Sequence, residues 1–180
     1  MRLNVISRIN ADKDFFSTYL KVVAELKKSD INCQLKFIGA ITCENTYNKI
    51  LDNVVSDDIA ELVSFTKKSV PMSEWTNDAD DYYLNVCLGD FVGYSSIDCV
   101  KDNFKALFVN VANYTIDEFA DFLTFCSNEN DLFNVLQKIH LDKEAINKII
   151  EQENRSLLQS FYLLNNDEEL LLNMLKGETF

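Results

Sequence analysis

The sequence predicts an α/β fold: a mainly parallel sheet with helices on both faces, followed by a helical C-terminal subregion. Three observations predict it. Short apolar, β-type runs alternate with stretches of helical period as far as residue 111. Two of the runs close on a glycine or a small polar residue where a turn can open. Beyond residue 112 only the helical period continues. Strands separated by helical patterns of about ten to fifteen residues build βαβ units, and hence a parallel sheet on a Rossmann-like plan.

Residues 3–7 form the first predicted strand, placed near the centre of the sheet, and the polar residues 10–13 a turn able to open a helix. Phe15, Phe16, Tyr19, Leu20, Val23 and Leu26 recur at three- and four-residue spacing, and Lys27 and Lys28 suit the C-terminal end of that helix. Residues 35–39 form a second strand closing on Gly39, and Tyr47, Ile50, Leu51 and Val54 mark a second helix. A third strand covers residues 62–65, and a polar stretch with the lone Trp75 comes next. Residues 82–87 read as a buried strand, 89–93 as a turn, 95–104 as a helix and 106–111 as a further strand. Helices are expected over 116–126, 131–139, 143–164 and 168–175. Strands covered on both faces should bury Val5, Phe37, Ile38, Leu84, Val86, Phe108 and Val109.

A length of 180 residues with 47% apolar content fits one domain, residues 1–180, with a Rossmann-like core over 1–111 and a helical part over 112–180. One proline and four glycines leave no linker to mark a boundary, and disorder is expected only at the C-terminal tail. Five cysteines without CxxC spacing read as reduced, mostly buried thiols. The N-terminus lacks the apolar stretch of a signal peptide and no apolar run approaches about 18 residues, so a cytoplasmic location is expected. A net charge of −12 disfavours a nucleic-acid partner, because phosphate neutralisation supplies most of that affinity. A small phosphorylated ligand needs only one or two cations and a helix N-terminus.

In sheets of this plan ligands sit outside the carboxyl ends of the strands. Arg8 and Lys13 straddle the turn after the first strand, where two cations beside a helix N-terminus can hold a diphosphate; they can equally be two surface cations. Residues 89–98 place Asp90 after a strand and Asp98 about one turn into the next helix, with Gly93 between them where a backbone can approach a ligand. Carboxylates are natural partners for ribose hydroxyls, but turn and helix-face aspartates are the plainer readings. His140 has no serine or cysteine partner at a recognisable spacing, Lys67 and Lys68 read as a solvated pair, and no cluster has metal-ligand spacing. The leucine-rich end, among it Leu157, Leu158 and Phe161, reads as packing surface rather than a membrane helix because its charges are acidic.

The order of these pieces resembles the C-terminal, donor-binding domain of family 4 (group 1) glycosyltransferases, one half of a GT-B fold, over roughly residues 3 to 111. The family opens with an arginine and, five residues later, a lysine that grip the donor diphosphate, and Arg8 and Lys13 have that spacing. Its second strand ends in glycine, as residues 35–39 do. Its paired glutamates, with seven residues between them, resemble Asp90 and Asp98, which enclose residues 91–97. The resemblance implies catalytic roles for Asp90, at the sugar ring, and for Arg8 and Lys13. Donor binding falls on Arg8, Lys13, Gly39, Val92, Gly93, Tyr94, Ser95 and Asp98, with the backbone between the acids at the phosphates and Asp98 at the ribose.

The activity implied by the resemblance is retaining glycosyl transfer from a nucleotide diphosphate sugar to a glycan or lipid acceptor, in polysaccharide biosynthesis. No cofactor and no protein-bound metal are implied. An N-terminal acceptor-binding Rossmann domain in the same parent chain is implied as well, through which peripheral membrane contact could be made. The sequence departs from the family in three ways. Both acids are shorter by one C–C bond, about 1.5 Å. Phe91 stands where the family has glycine, and Asn103, Phe104 and Lys105 replace a Gly-x-Pro. A non-catalytic binding or assembly module is therefore the alternative. A flavodoxin-like or receiver-like domain lacks support, since the first strand ends in Ser7 and Arg8 rather than in an acidic pair.

Overall fold

The computed structural model describes the backbone of residues 1–13 and 15–175, and the side chains of these up to Ser160. Six strands run in the order β3-β2-β1-β4-β6-β7, all pairing in parallel, so β1 (Arg2–Ile6) sits at the centre. Its neighbours are β2 (Gln34–Ile38) and β4 (Asp81–Leu88), with Val5 opposite both Phe37 and Leu84. β3 (Val63–Phe65) lies outside β2, and β6 (Ala106–Asn110) outside β4. The predicted plan is observed.

Alternation along each strand divides the core in two, because successive side chains point to opposite faces. Leu3, Val5, Leu84, Leu107 and Val109 face one cluster with Tyr19, Leu20, Val23 and Leu26 of α1 (Phe16–Lys28) and Leu132 and Leu136 of α4 (Glu129–Leu141). α2 (Glu44–Ser56) adds Ile50 and Val54. Tyr83, Ala106 and Phe108 face the other cluster, with Cys99 and Val100 of α3 (Tyr94–Lys101) and Leu157 of α5 (Lys143–Leu175). Leu157 thus packs as expected, whereas the side chains of the leucine-rich end from Phe161 onward lie outside the described residues. Among the described residues no helix is long and apolar enough to cross a membrane.

Four details differ from expectation. The predicted turn at 89–93 is a hairpin: β5 (Phe91–Val92) folds back antiparallel on β4 through Gly89 and Asp90. Gly89 has φ +62°, and a two-residue hairpin of this kind favours glycine at its first position. The predicted helix at 116–126 is instead a set of turns ending in β7 (Phe125–Cys126) beside β6. Tertiary contacts override the local pattern here. The Asp90 carboxylate accepts from the amide of Asp117 at 3.2 Å, and Glu153 accepts from those of Leu123 and Thr124 at 2.8 Å each. α5 is one helix rather than two, since nothing like Gly or Pro breaks it near residue 165. Val86 is half-buried while the other six predicted core residues are buried, because it stands two positions beyond the last β1 partner of β4.

The described cysteines are all free, and four of the five are buried. Burial pushes the Cys33 thiol up to about 11 and those of Cys87 and Cys99 to about 12, so these thiols are inert at neutral pH.

Candidate functional site

Parallel pairing brings the carboxyl ends of β1, β2 and β4 to one edge of the sheet. There a cleft of about 400 Å³ is lined by Ile6, Ser7, Arg8 and Lys13 after β1, by Ile38, Gly39 and Ala40 after β2, and by Ser69 and Val70 after β3. The chain leaves β1 still tied to its neighbour. Ser7 N donates to Ile38 O at 3.0 Å, and Ile9 N to Ala40 O at 2.9 Å. The turn then closes by Lys13 N donating to Asn10 O at 3.2 Å, which returns the Lys13 side chain to the cleft. Gly39 makes this approach possible: a Cβ there would stand 2.2 Å from Ser7 O.

The two cations are differently held. Arg8 is more than half exposed and faces Asp12 across 3.9 Å, a loose surface pair. The Lys13 ammonium donates to Ser7 Oγ at 3.1 Å and lies 6.0 Å from the Phe15 ring centroid. Among the described residues no carboxylate pairs with Lys13.

The acidic segment stands on a different element of the same edge. Asp90 occupies the hairpin tip, half-buried, with its carboxylate turned to the amides of Asp117 and Phe119 at 3.2 and 3.5 Å. Val92 is buried, pairing with Cys87. Gly93 caps α3, and the space where its Cβ would lie is empty to 4 Å. Tyr94 and Ser95 are exposed in the first turn, where helix amides lack an intrahelical acceptor, and the next amide, Ser96 N, donates to Gly93 O at 2.9 Å. Asp98 is exposed on α3. The structure therefore brings Arg8, Lys13 and Gly39 together on one cleft, and neither Asp90 nor Asp98 is among its lining residues.

Ser7, Ala40, Ser69 and Val70 also line the cleft, although nothing in the sequence singles them out. Their only signal is position, just past the carboxyl ends of predicted strands. The loop that carries Ser69 and Val70 is held from below by Trp75, whose indole N–H donates to Val70 O at 3.1 Å while its ring stacks on Tyr83. Thr66 Oγ1 ties the same loop to Gly39 N at 3.0 Å. Lys67 turns away from the cleft to lie 5.5 Å over the Tyr47 ring. His140 is exposed in the last turn of α4, and among the described residues no group of three or more potential ligands could hold a metal ion.

No protein-family model and no curated protein matches this sequence. Solved structures do match in fold. The C-terminal domain of a glycosyl transferase group 1 family protein, LpcC from Francisella tularensis, aligns over 89% of this chain and 85% of its own, with a TM-score of 0.62 and 11% identity. The chain has the fold of the C-terminal half of a GT-B glycosyltransferase. HepE from Anabaena, solved in complex with UDP and glucose, matches with a TM-score of 0.66 at 9% identity over 97% of this chain and 48% of its own. Sucrose-phosphate synthase from Thermosynechococcus elongatus matches with a TM-score of 0.64 at 13% identity, over 99% of this chain and 46% of its own. The chain thus spans about half the length of these last two proteins.

Proposed function

We propose that this chain is the donor-binding half of a retaining glycosyltransferase that moves a sugar from a nucleotide diphosphate to a glycan or lipid acceptor. The observation that carries the reading is the convergence of Arg8 and Lys13 on an open cleft at the carboxyl edge of the central strand, in a fold shared with glycosyltransferases. Breaking a glycosyl–phosphate bond develops negative charge on the departing diphosphate. Pre-placed cations whose charge is not already spent stabilise it where it forms. The first-turn amides of α3 would add neutral donors to the same phosphates, and Asp98 would accept from the ribose hydroxyls. No metal is required of the protein in this scheme. The acceptor would be held by an N-terminal Rossmann domain of the same parent chain, at the cytoplasmic face where polysaccharide precursors are built.

One observation favours the alternative of a non-catalytic binding or assembly module. The Asp90 carboxylate, assigned to the sugar ring, is engaged with the backbone amides of Asp117 and Phe119. A domain that has given up this group could keep diphosphate binding without transfer. Titration calorimetry with uridine and guanosine diphosphate tests the shared part of both readings. Arg8→Ala combined with Lys13→Ala should weaken binding by about a hundredfold, as expected for two charge-assisted contacts. Equal affinities would reject the diphosphate assignment. Binding by the full-length parent without sugar transfer or donor hydrolysis would select the module.

A further inference from the structure

Lysine is a poor choice for a fixed electrostatic contact unless something fixes it, since its four-carbon stem keeps many rotamers open. In this cleft the fixing group is Ser7. Its backbone is held from two sides: the amide is bonded to Ile38 O at 3.0 Å, Gly39 packs against its carbonyl, and the residue is only 7% exposed. The hydroxyl has one proton, and donates it to the Arg8 carbonyl at 3.0 Å. Its lone pairs therefore face the Lys13 ammonium, which donates to them at 3.1 Å.

We infer that Ser7 is a positioning residue that aims the Lys13 ammonium at the ligand of the cleft, an inference that rests on the cleft binding a diphosphate. A neutral acceptor suits this task better than a carboxylate. It removes rotamer freedom before the ligand arrives, yet leaves the full positive charge and two of the three ammonium protons for phosphate oxygens. Asp12, in the same turn, is spent loosely on Arg8 instead. Ser7 touches the second cation only through its backbone, so its effect on binding runs through Lys13.

The test is a double-mutant cycle on the 180-residue chain, read by titration calorimetry with uridine diphosphate and with pyrophosphate. Ser7→Ala should weaken both ligands by about tenfold, the loss expected when one charged contact is no longer pre-aimed. Ser7→Thr, which keeps the hydroxyl, should bind like the wild type. In a Lys13→Ala background the Ser7→Ala change should have no further effect. The inference is overturned if Lys13→Ala weakens binding and Ser7→Ala does not. It is equally overturned if Ser7→Ala costs the same factor with Lys13 already removed, because Ser7 would then act on the ligand or the backbone directly. An unchanged affinity in Lys13→Ala would remove the diphosphate reading and this inference together, so the two failures are told apart.

Discussion

The two edges of the sheet carry charge to opposite ends. At the amino edge, Arg2 holds Asp81 through two hydrogen bonds of 2.7 and 2.9 Å and Asp78 through a third of 2.6 Å. Asp81 is fully buried and also accepts from the Asp78 amide at 2.9 Å. Lys105, buried beside them, donates to Asp78 O at 2.8 Å, and Lys143 pairs with Asp80 at 2.9 Å. At the carboxyl edge Arg8 has one loose partner and Lys13 a neutral one. Charges consumed by one another stabilise a fold, and charges held in place but left unspent are available to a ligand. In a chain of net charge −12, two cations meet in one cleft, one loosely paired and the other bonded to a neutral hydroxyl.

The largest effect should come from the paired edge. Arg2→Met leaves the Asp81 carboxylate buried without its guanidinium and should lower unfolding free energy by about 3 kcal/mol, measured by denaturant titration. Burial pushes the Asp81 carboxyl up, but the Asp78 amide and the Arg2 guanidinium outweigh it and hold it below the usual carboxylate range. A depressed folded-state pKa contributes stability above the unfolded value of about 4, and that stability is lost as pH falls through the folded value. Asp81→Asn should therefore show a shallower acid loss than the wild type as pH falls below about 4. Parallel curves would mean the pair contributes nothing and that the contrast between the edges is wrong.

The opposite pattern is expected at the cleft. Arg8→Ala with Lys13→Ala should leave the unfolding free energy within about 0.5 kcal/mol of wild type, as for surface charges with weak partners. The same double variant should lose nucleoside diphosphate binding by about a hundredfold. A large stability loss in this variant would return the two cations to structural duty. Gly39→Ala belongs to neither class: it should part β1 from β2 and cost about 2 kcal/mol by forcing a Cβ against Ser7 O.

Much of this was legible in the sequence, for stated reasons. The five parallel strands from β1 to β6 are runs of Val, Ile, Leu and aromatic residues between helical periods, and burial on both faces requires that pattern. Arg8, Lys13 and Gly39 were legible because their strand ends and spacing place them. β7 was not, since two residues carry no period, and the preceding segment takes its shape from the distant carboxylates of Asp90 and Glu153. Ser7, Ser69 and Val70 line the cleft as small groups presented by backbone geometry, which no side-chain pattern announces.

The two aspartates of the acidic segment bring the contrast between the edges down to a single pair. Asp90 resembles the amino edge, its carboxylate spent on the amides of Asp117 and Phe119, whereas Asp98 is exposed on α3. Asp90→Asn should lower unfolding free energy by about 1 kcal/mol, since the amide keeps one acceptor but loses the charge-assisted bond. It should leave uridine diphosphate affinity nearly intact. Asp98→Asn should do the reverse: stability within about 0.5 kcal/mol of wild type, and binding of the nucleoside diphosphate about tenfold weaker through loss of a charged acceptor for the ribose. Pyrophosphate, which has no ribose, should bind both variants like the wild type. Asp98→Glu should retain binding if a carboxylate at this position is what the ribose meets. If Asp90→Asn instead weakens binding while stability holds, its carboxylate leaves the 116–119 turn when ligand arrives, and the catalytic reading of the domain gains over the module.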